Sequence, residues 1–241
     1  MKMNPRFLII PALVAGMQAA TAGDLTGTVT LSGTPPEPTV NEALAGNAQC
    51  GALHSEPVKV VFYKVGPKKE LADVVIVIKG IKGKSTGESA APVVLDQKGC
   101  EYIPYVSAVQ TGQKVTIKSS DPFLHNVNIS PDPSGGNASK AKNQAEMPGG
   151  AGITIAFPAE EDFLKIKCDV HPWMISYVTV VDHPYFAVSD KDGKYTIKNV
   201  PPGKYTVEAR HRKANAKTPV TKEIEVKADG SVLDFTIEVP K

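Results

Sequence analysis

Four side chains that can hold a metal ion fall into two short stretches of the sequence. The first is Cys168-Asp169-Val170-His171-Pro172-Trp173-Met174, which sets a thiol, an imidazole and a thioether at C-x2-H-x2-M spacing. The second is Ser120-Asp121-Pro122-Phe123-Leu124-His125-Asn126, with His125 just beyond an alternating segment. Two imidazoles, one thiolate and a weak axial thioether are the donors of a trigonal copper centre that transfers electrons. Soft sulfur favours Cu(I) and imidazole tolerates both copper states, so one compromise geometry keeps reorganisation small. Structural zinc prefers four strong Cys or His ligands, and no second Cys lies near Cys168. A c-type haem needs C-x-x-C-H, which the chain lacks.

The elements that must position these donors are strands. Leu25–Leu31, Lys114–Lys118 and Leu164–Cys168 alternate with period two, and Leu164, Ile166 and Cys168 share one face. Val74–Ile78 is an apolar run of strand length, and Ile175–Val181 is the strand after Met174. A tight loop between two strands can aim Cys168, His171 and Met174 at one centre. Lys194–Val200 and Lys204–Ala209 are strands joined across Pro201-Pro202-Gly203, and Asp190-Lys191-Asp192-Gly193 reads as a hairpin turn. A short helix is possible within Asn41–His54, weakened by Gly46 and Gly51. The polar, Gly/Pro-rich segment 131–152 reads as a long surface loop.

The rest of the composition fits a soluble all-β chain in an oxidising compartment. Of 241 residues, 41% are hydrophobic and 22% charged, and the 20 Gly and 20 Pro favour short strands and turns over long helices. Lys2 and Arg6, the apolar run Phe7–Met17 and the small residues Ala20-Thr21-Ala22 read as a secretory signal peptide over 1–22, cleaved after Ala22. That run is too short to span a bilayer, so no transmembrane segment is expected in the mature chain. Removing Lys2 and Arg6 leaves 25 of the 27 basic residues against 25 acidic ones, a formal charge of zero. No basic run points to nucleic acid.

On Cys168-x2-His171-x2-Met174, with His125-Asn126 upstream and the order Val93-Val94-Leu95, Tyr102-Ile103-Pro104, Val109-Gln110-Thr111-Gly112, Val115-Thr116-Ile117, the segment from about 90 to 182 resembles a cupredoxin of the amicyanin/plastocyanin kind. It is similar to a bacterial methylamine-utilisation-like subfamily, in which His is expected where this chain has Tyr105. That departure lies outside the four donors and bears only on an accessory metal role. The resemblance implies one copper per chain, with His125, Cys168 and His171 as equatorial ligands and Met174 as the axial one. It implies that Asn126 braces the ligand loops. His171, in a loop, is expected to show one ring edge near solvent. Phe123, Leu124, Pro172 and Trp173 would form an apolar patch around it for brief docking of a redox protein, a cytochrome or a dehydrogenase. Trp173 reads equally well as core packing. With Cys168 on copper, Cys50 and Cys100 remain, to be paired as a disulfide in an oxidising compartment or left as free buried thiols.

Asp190–Ile197 and Val200–Val207 resemble the carboxypeptidase regulatory-like β-sandwich. Its opening strand matches Gly27-Thr28-Val29 far upstream. The expected fold is therefore all-β, a cupredoxin Greek-key sandwich inserted in or next to a second, regulatory-like sandwich. The expected divisions are 23–88 and 183–241 for the split sandwich and 89–182 for the cupredoxin. A Cys50–Cys100 bridge would tie the two near their junction.

Several look-alikes carry no chemistry. Gly83-Lys84-Ser85-Thr86-Gly87 matches G-x-S-x-G, but a nucleophile elbow needs a strand leading into a helix. Asp190-x-Asp192-Gly193 lacks the other calcium ligands. His54, His183 and His211 read as surface or turn residues, and Asn137-Ala138-Ser139 is a sequon by pattern alone. The expected function is periplasmic or secreted single-electron transfer without enzymatic activity, since four protein donors leave no open metal position. A copper chaperone or buffer using the same ligands, or an envelope interaction protein with a cupredoxin scaffold, are the competing expectations.

Overall fold

A computed structural model of the chain describes residues 22–130 and 142–240. The expected signal peptide over 1–22, apart from Ala22, and the sequon at 137–139 lie outside the described residues. The strands in chain order are β1 Gly23–Ser32, β2 Thr39–Val40, β3 Lys59–Val60, β4 Val74–Ile78, β5 Val93–Lys98, β6 Glu101–Ile103, β7 Val106–Gln110, β8 Lys114–Ser119, β9 His125–Ser130 and β10 Lys142–Glu146. They continue with β11 Ile153–Ala156, β12 Glu161–Lys167, β13 Ile175–Val181, β14 Phe186–Val188, β15 Lys194–Val200, β16 Gly203–His211, β17 Val220–Val226, β18 Ser231–Val232 and β19 Phe235–Glu238. Helix among the described residues is confined to α1 Glu42–Ala45, α2 Ala48–Gly51 and one 3-10 turn. Asn41 and Asn47 start the two helices by accepting backbone N–H bonds through their side chains. The fold is all-β, as expected.

Four larger sheets form two facing pairs. In one pair, β1 lies between β15 and β18, with β19 also on β1, while β14-β4-β16-β17 forms the opposite sheet. In the other pair, β10-β9-β12-β13-β7 faces β11-β8-β5-β6. Among the described strands, β1 and β4 thus pair with strands from β14 onward, while Thr30 of β1 also bridges Glu70, and all of β5–β13 lies between β4 and β14 in sequence. The run Val74–Ile78 is apolar throughout because β4 is buried on both faces. Val74, Ile76 and Ile78 enter the core of their own sheet pair, with Leu25, Val29, Ile197 and Phe235. Val75 and Val77 point the other way, into a contact with Val106, Phe163, Tyr177 and Val181 of the second pair.

Two details differ from the sequence reading. Asp190–Gly193 is a tight turn, with Gly193 at φ +68 and its N–H on the Asp190 carbonyl, but it joins β14 and β15 in opposite sheets rather than in one hairpin. A Cβ on Gly193 would lie 2.5 Å from the Val29 carbonyl oxygen, so the crossing needs glycine. Part of the expected 131–152 loop is strand β10, whose polar sequence shows no alternation but which runs in register along β9. The G-x-S-x-G segment leads into a single 3-10 turn, Gly87–Ser89, and not into an α-helix. Ser85 Oγ donates to the Thr111 carbonyl at 2.6 Å.

His183 and His211 are buried, not surface residues. His211 stacks on Tyr63 with ring centroids 4.8 Å apart, and its Nδ1 accepts the N–H groups of Lys213 and Ala214. Burial, with the Arg212 charge beside it, pushes His211 down to about 4. In the unfolded chain it titrates near ~6.5. Between those values the unfolded state holds the extra proton, so stability is full above about pH 6.5 and falls as the pH drops toward 4. The whole effect is about 3 kcal/mol. Burial lowers His183 too, adding a slope of the same sign. Urea unfolding at neutral and mildly acid pH should therefore show a shallower pH dependence for His211→Gln than for the natural chain. Parallel dependences would show that His211 does not contribute.

Candidate metal centre

Adjacent antiparallel strands bring the two donor stretches to one end of a sheet. β12 pairs with β9 so that Lys167 lies opposite Asn128. Cys168 therefore leaves β12 beside the start of β9, where His125 is the first residue. The loop that follows is closed by two backbone bonds, Cys168 N–H to the Met174 carbonyl (3.1 Å) and Met174 N–H to the His171 carbonyl (2.9 Å). This compact loop turns His171 back over Cys168 and hands the chain to β13.

The result is a buried cluster. His125 Nδ1 lies 3.0 Å from His171 Nδ1, and Cys168 Sγ lies 4.0 Å from the first and 3.7 Å from the second. Bonds of about 2.0–2.3 Å to one central ion would place such donors about 3.5–4 Å apart. The two sulfur–nitrogen edges match that spacing, and the nitrogen–nitrogen edge is shorter because the two rings hydrogen-bond. Met174 is fully buried in the same core as Cys168. The three donor atoms of His125, Cys168 and His171 are thus close enough together to hold one ion, and Met174 follows in the same loop. Burial, aided by the His125 ring, lowers His171 below the ordinary imidazole range, which leaves it a neutral donor.

Two further donor groups include Cys100, with Cys50 and His171 in one and with Asp121 and His125 in the other. Cys50 and Cys100 form a disulfide, so neither is a thiolate ligand. Those groups instead show the bridge lying against both imidazoles. The bridge therefore sits beside the donors and fastens α2 there, rather than at the contact between the two sheet pairs. His171 is 3% exposed, against the expectation of an open ring edge. Trp173 stands 5.3 Å from it by ring centroids and donates its Nε1–H to the Cys100 carbonyl at 3.2 Å. Phe123 and Trp173 are half-buried, while Leu124 and Pro172 are exposed, Leu124 by 41%.

Asn126 locks the loop. Its Oδ1 accepts from Asp169 N (2.6 Å), Val170 N (3.3 Å) and Cys168 Sγ (3.3 Å), and its Nδ2 donates to Asn143 (2.7 Å) and Asp169 (3.3 Å). The backbone N–H of Asn126 also points at Cys168 Sγ at 3.5 Å. The Asp169 carboxylate gathers Lys167, Asn128, Asn126 and Asn143, and these bonds hold it well below the usual carboxylate range. Asn126→Ala would leave the Asp169 and Val170 N–H groups without their acceptor. We expect a loss of about 1–2 kcal/mol in thermal or urea unfolding of the metal-free protein, since the buried Asn126 side chain gives up several hydrogen bonds at once while water can reach the exposed Asp169 and Val170. A loss below about 0.5 kcal/mol would show that the loop holds itself.

Asp121, Asn143, Asp169 and Glu146 escaped the sequence reading. Asn143 and Glu146 are far from the donors in sequence, and although Asp169 adjoins Cys168 and Asp121 stands four residues before His125, neither spacing marks a contact. Glu146 lies opposite His125 across the β10–β9 ladder and is buried against Gln97. Only the pairing of β10, itself illegible, brings Glu146 and Asn143 to the centre.

Residues 183–239 match a family model described as BOS complex subunit NOMO1-like, second beta sandwich domain. The segment expected to resemble a regulatory-like sandwich thus matches a different β-sandwich family. No curated protein matches the chain significantly. Among solved structures, a Cu-containing nitrite reductase (NirK) from Thermus scotoductus SA-01 is 18% identical over 39% of this chain, at a TM-score of 0.34, and the chain spans only 23% of it. A reduced point mutant of amicyanin is 20% identical, with 44% of this chain and 98% of that one covered and a TM-score of 0.33. A purple cupredoxin from Nitrosopumilus maritimus is 24% identical, with 38% and 100% covered and a TM-score of 0.31. No helix of the described residues is long and apolar enough to cross a membrane.

Proposed function

We propose that this chain is a periplasmic or secreted carrier of single electrons built around one copper ion, held by His125, Cys168, His171 and Met174. The observation that carries the reading is the meeting of two imidazole nitrogens and one thiol sulfur within 4.0 Å, fully enclosed. When bound, the copper supplies a one-electron couple. The chain's own part is to hold the donors still. The Asn126 and Asp169 bonds and the disulfide fix the loops before any ion arrives, so a change of metal charge meets a frame that resists rearrangement. The enclosure excludes water, and four protein donors leave no position for a substrate, so the protein has no catalytic turnover of its own.

Electrons leave through the His171 side of the site. Leu124 and Pro172, with the flanks of Phe123 and Trp173, offer a small apolar surface suited to a short-lived encounter with a redox protein. Copper delivery by the same donors is the competing reading. The burial of all three strong donors favours slow exchange, which suits a carrier better than a chaperone.

An absorption spectrum of the copper-loaded mature chain tests the reading. An intense blue band with one copper per chain is expected, together with slow loss of Cu(I) to a chelator. Colourless Cu(II) protein would overturn the assignment, and rapid loss of Cu(I) would favour delivery.

A further inference from the structure

We propose that Asp121 is a positioning residue that sets both the tautomer and the donor strength of His125. The inference rests on reading His125 as a metal donor. His125 is completely buried and its Nε2 lies 2.9 Å from Asp121 Oδ2. The same oxygen accepts the Cys100 N–H at 2.9 Å, and Oδ1 accepts the Gly99 N–H at 2.7 Å. The two backbone partners of this 5% exposed side chain are N–H donors, one to each oxygen, which is the pattern of a carboxylate, and a carboxylate can only accept from the imidazole. The proton of His125 is thereby held on Nε2, and the lone pair of Nδ1 faces Cys168 and His171.

The carboxylate is itself fixed from behind. Its two backbone partners belong to the turn between β5 and β6, and Cys100 of that turn is tied to Cys50 on α2. The bridge, the turn, the carboxylate and the imidazole thus form one continuous chain of contacts. A buried carboxylate on the outer nitrogen of a ligating imidazole strengthens the inner nitrogen as a donor. A stronger donor favours the more highly charged metal state, so Asp121 should stabilise Cu(II) over Cu(I).

Asp121→Asn keeps the size and an acceptor oxygen while removing the charge. We expect the ratio of Cu(II) to Cu(I) affinity to fall about tenfold, read as a rise of about 59 mV in reduction potential. The blue band should remain. A residue with only a structural role would weaken both states alike, so a shift below about twofold in that ratio overturns the proposal while leaving the copper reading intact. The second measurement needs no metal. Nitrogen-15 NMR of the metal-free natural chain should show the His125 proton on Nε2. A proton on Nδ1 would overturn the role of Asp121 whether or not the variant folds. Failure of the natural chain to bind copper would sink the copper reading, and the donor-strength part of this proposal with it; the NMR result alone would then decide the tautomer part.

Discussion

Cys168→Ser should abolish the blue band completely and lower copper affinity by more than roughly 100-fold. A serine hydroxyl stays protonated near neutral pH and is a hard, weak donor, whereas the thiolate is both the strongest ligand and the source of the charge-transfer transition. The substitution is nearly isosteric in a position with no solvent access, and the Asn126 side chain can bond a hydroxyl as it bonds the thiol. The metal-free variant should therefore lose no more than about 1–2 kcal/mol in chemical unfolding. The separation of these effects is informative. A folded, colourless variant assigns the sulfur to the metal. A folded variant that is still blue would show that the ligand was misassigned.

Loss of the Cys50–Cys100 bridge is the largest stability effect we expect. The bridge closes a loop with a sequence separation of 50, for which chain entropy gives about 4 kcal/mol. The excursion of the chain between β1 and β4 is held otherwise by scattered contacts, among them the Leu31–Lys69 backbone bond and the Tyr63–His211 stack. Between β1 and β4 the regular structure is one two-residue ladder and two helices of four residues each, with Leu44 and Cys50 as the buried residues of those helices. Equilibrium unfolding of the metal-free Cys50→Ala/Cys100→Ala double variant, against the oxidised natural chain, should give a difference of about 3–4 kcal/mol. A difference under about 1 kcal/mol would mean that the unbridged chain keeps the excursion in place through its other contacts.

The meeting of Cys168 with His171 was legible in the sequence for a physical reason. Cys168, His171 and Met174 lie in one short loop, where spacing alone decides what can converge. β4 and β13 were legible to the residue, because Val74–Ile78 and Ile175–Val181 are apolar runs bounded by turns. Contacts made across the fold were not legible. Asp121 lies four residues before His125 with nothing to distinguish it from any loop acid, and its role depends on N–H groups of Gly99 and Cys100. β10 has no apolar face, so Lys142–Glu146 reads as loop until β9 is there to pair with it. His211 reads as a surface residue because the Tyr63 ring that covers it comes from the distant excursion. The turn at Asp190–Gly193 shows the remaining limit, since local residues specify a reversal but not which sheet each arm will join.

The placement of β1 and β4 also constrains the order in which the chain can fold. During synthesis both emerge well before β14–β19, so their ladder edges stay open while β5–β13 are made. The intervening segment can collapse first, since its strands pair among themselves, and its two ends must then lie close enough for β14 to reach β4. Such distant pairing gives a high contact order and slow completion. The nascent protein would meanwhile carry a bare Val-Val-Ile-Val-Ile strand, a segment prone to aggregate until the C-terminus arrives to cover it.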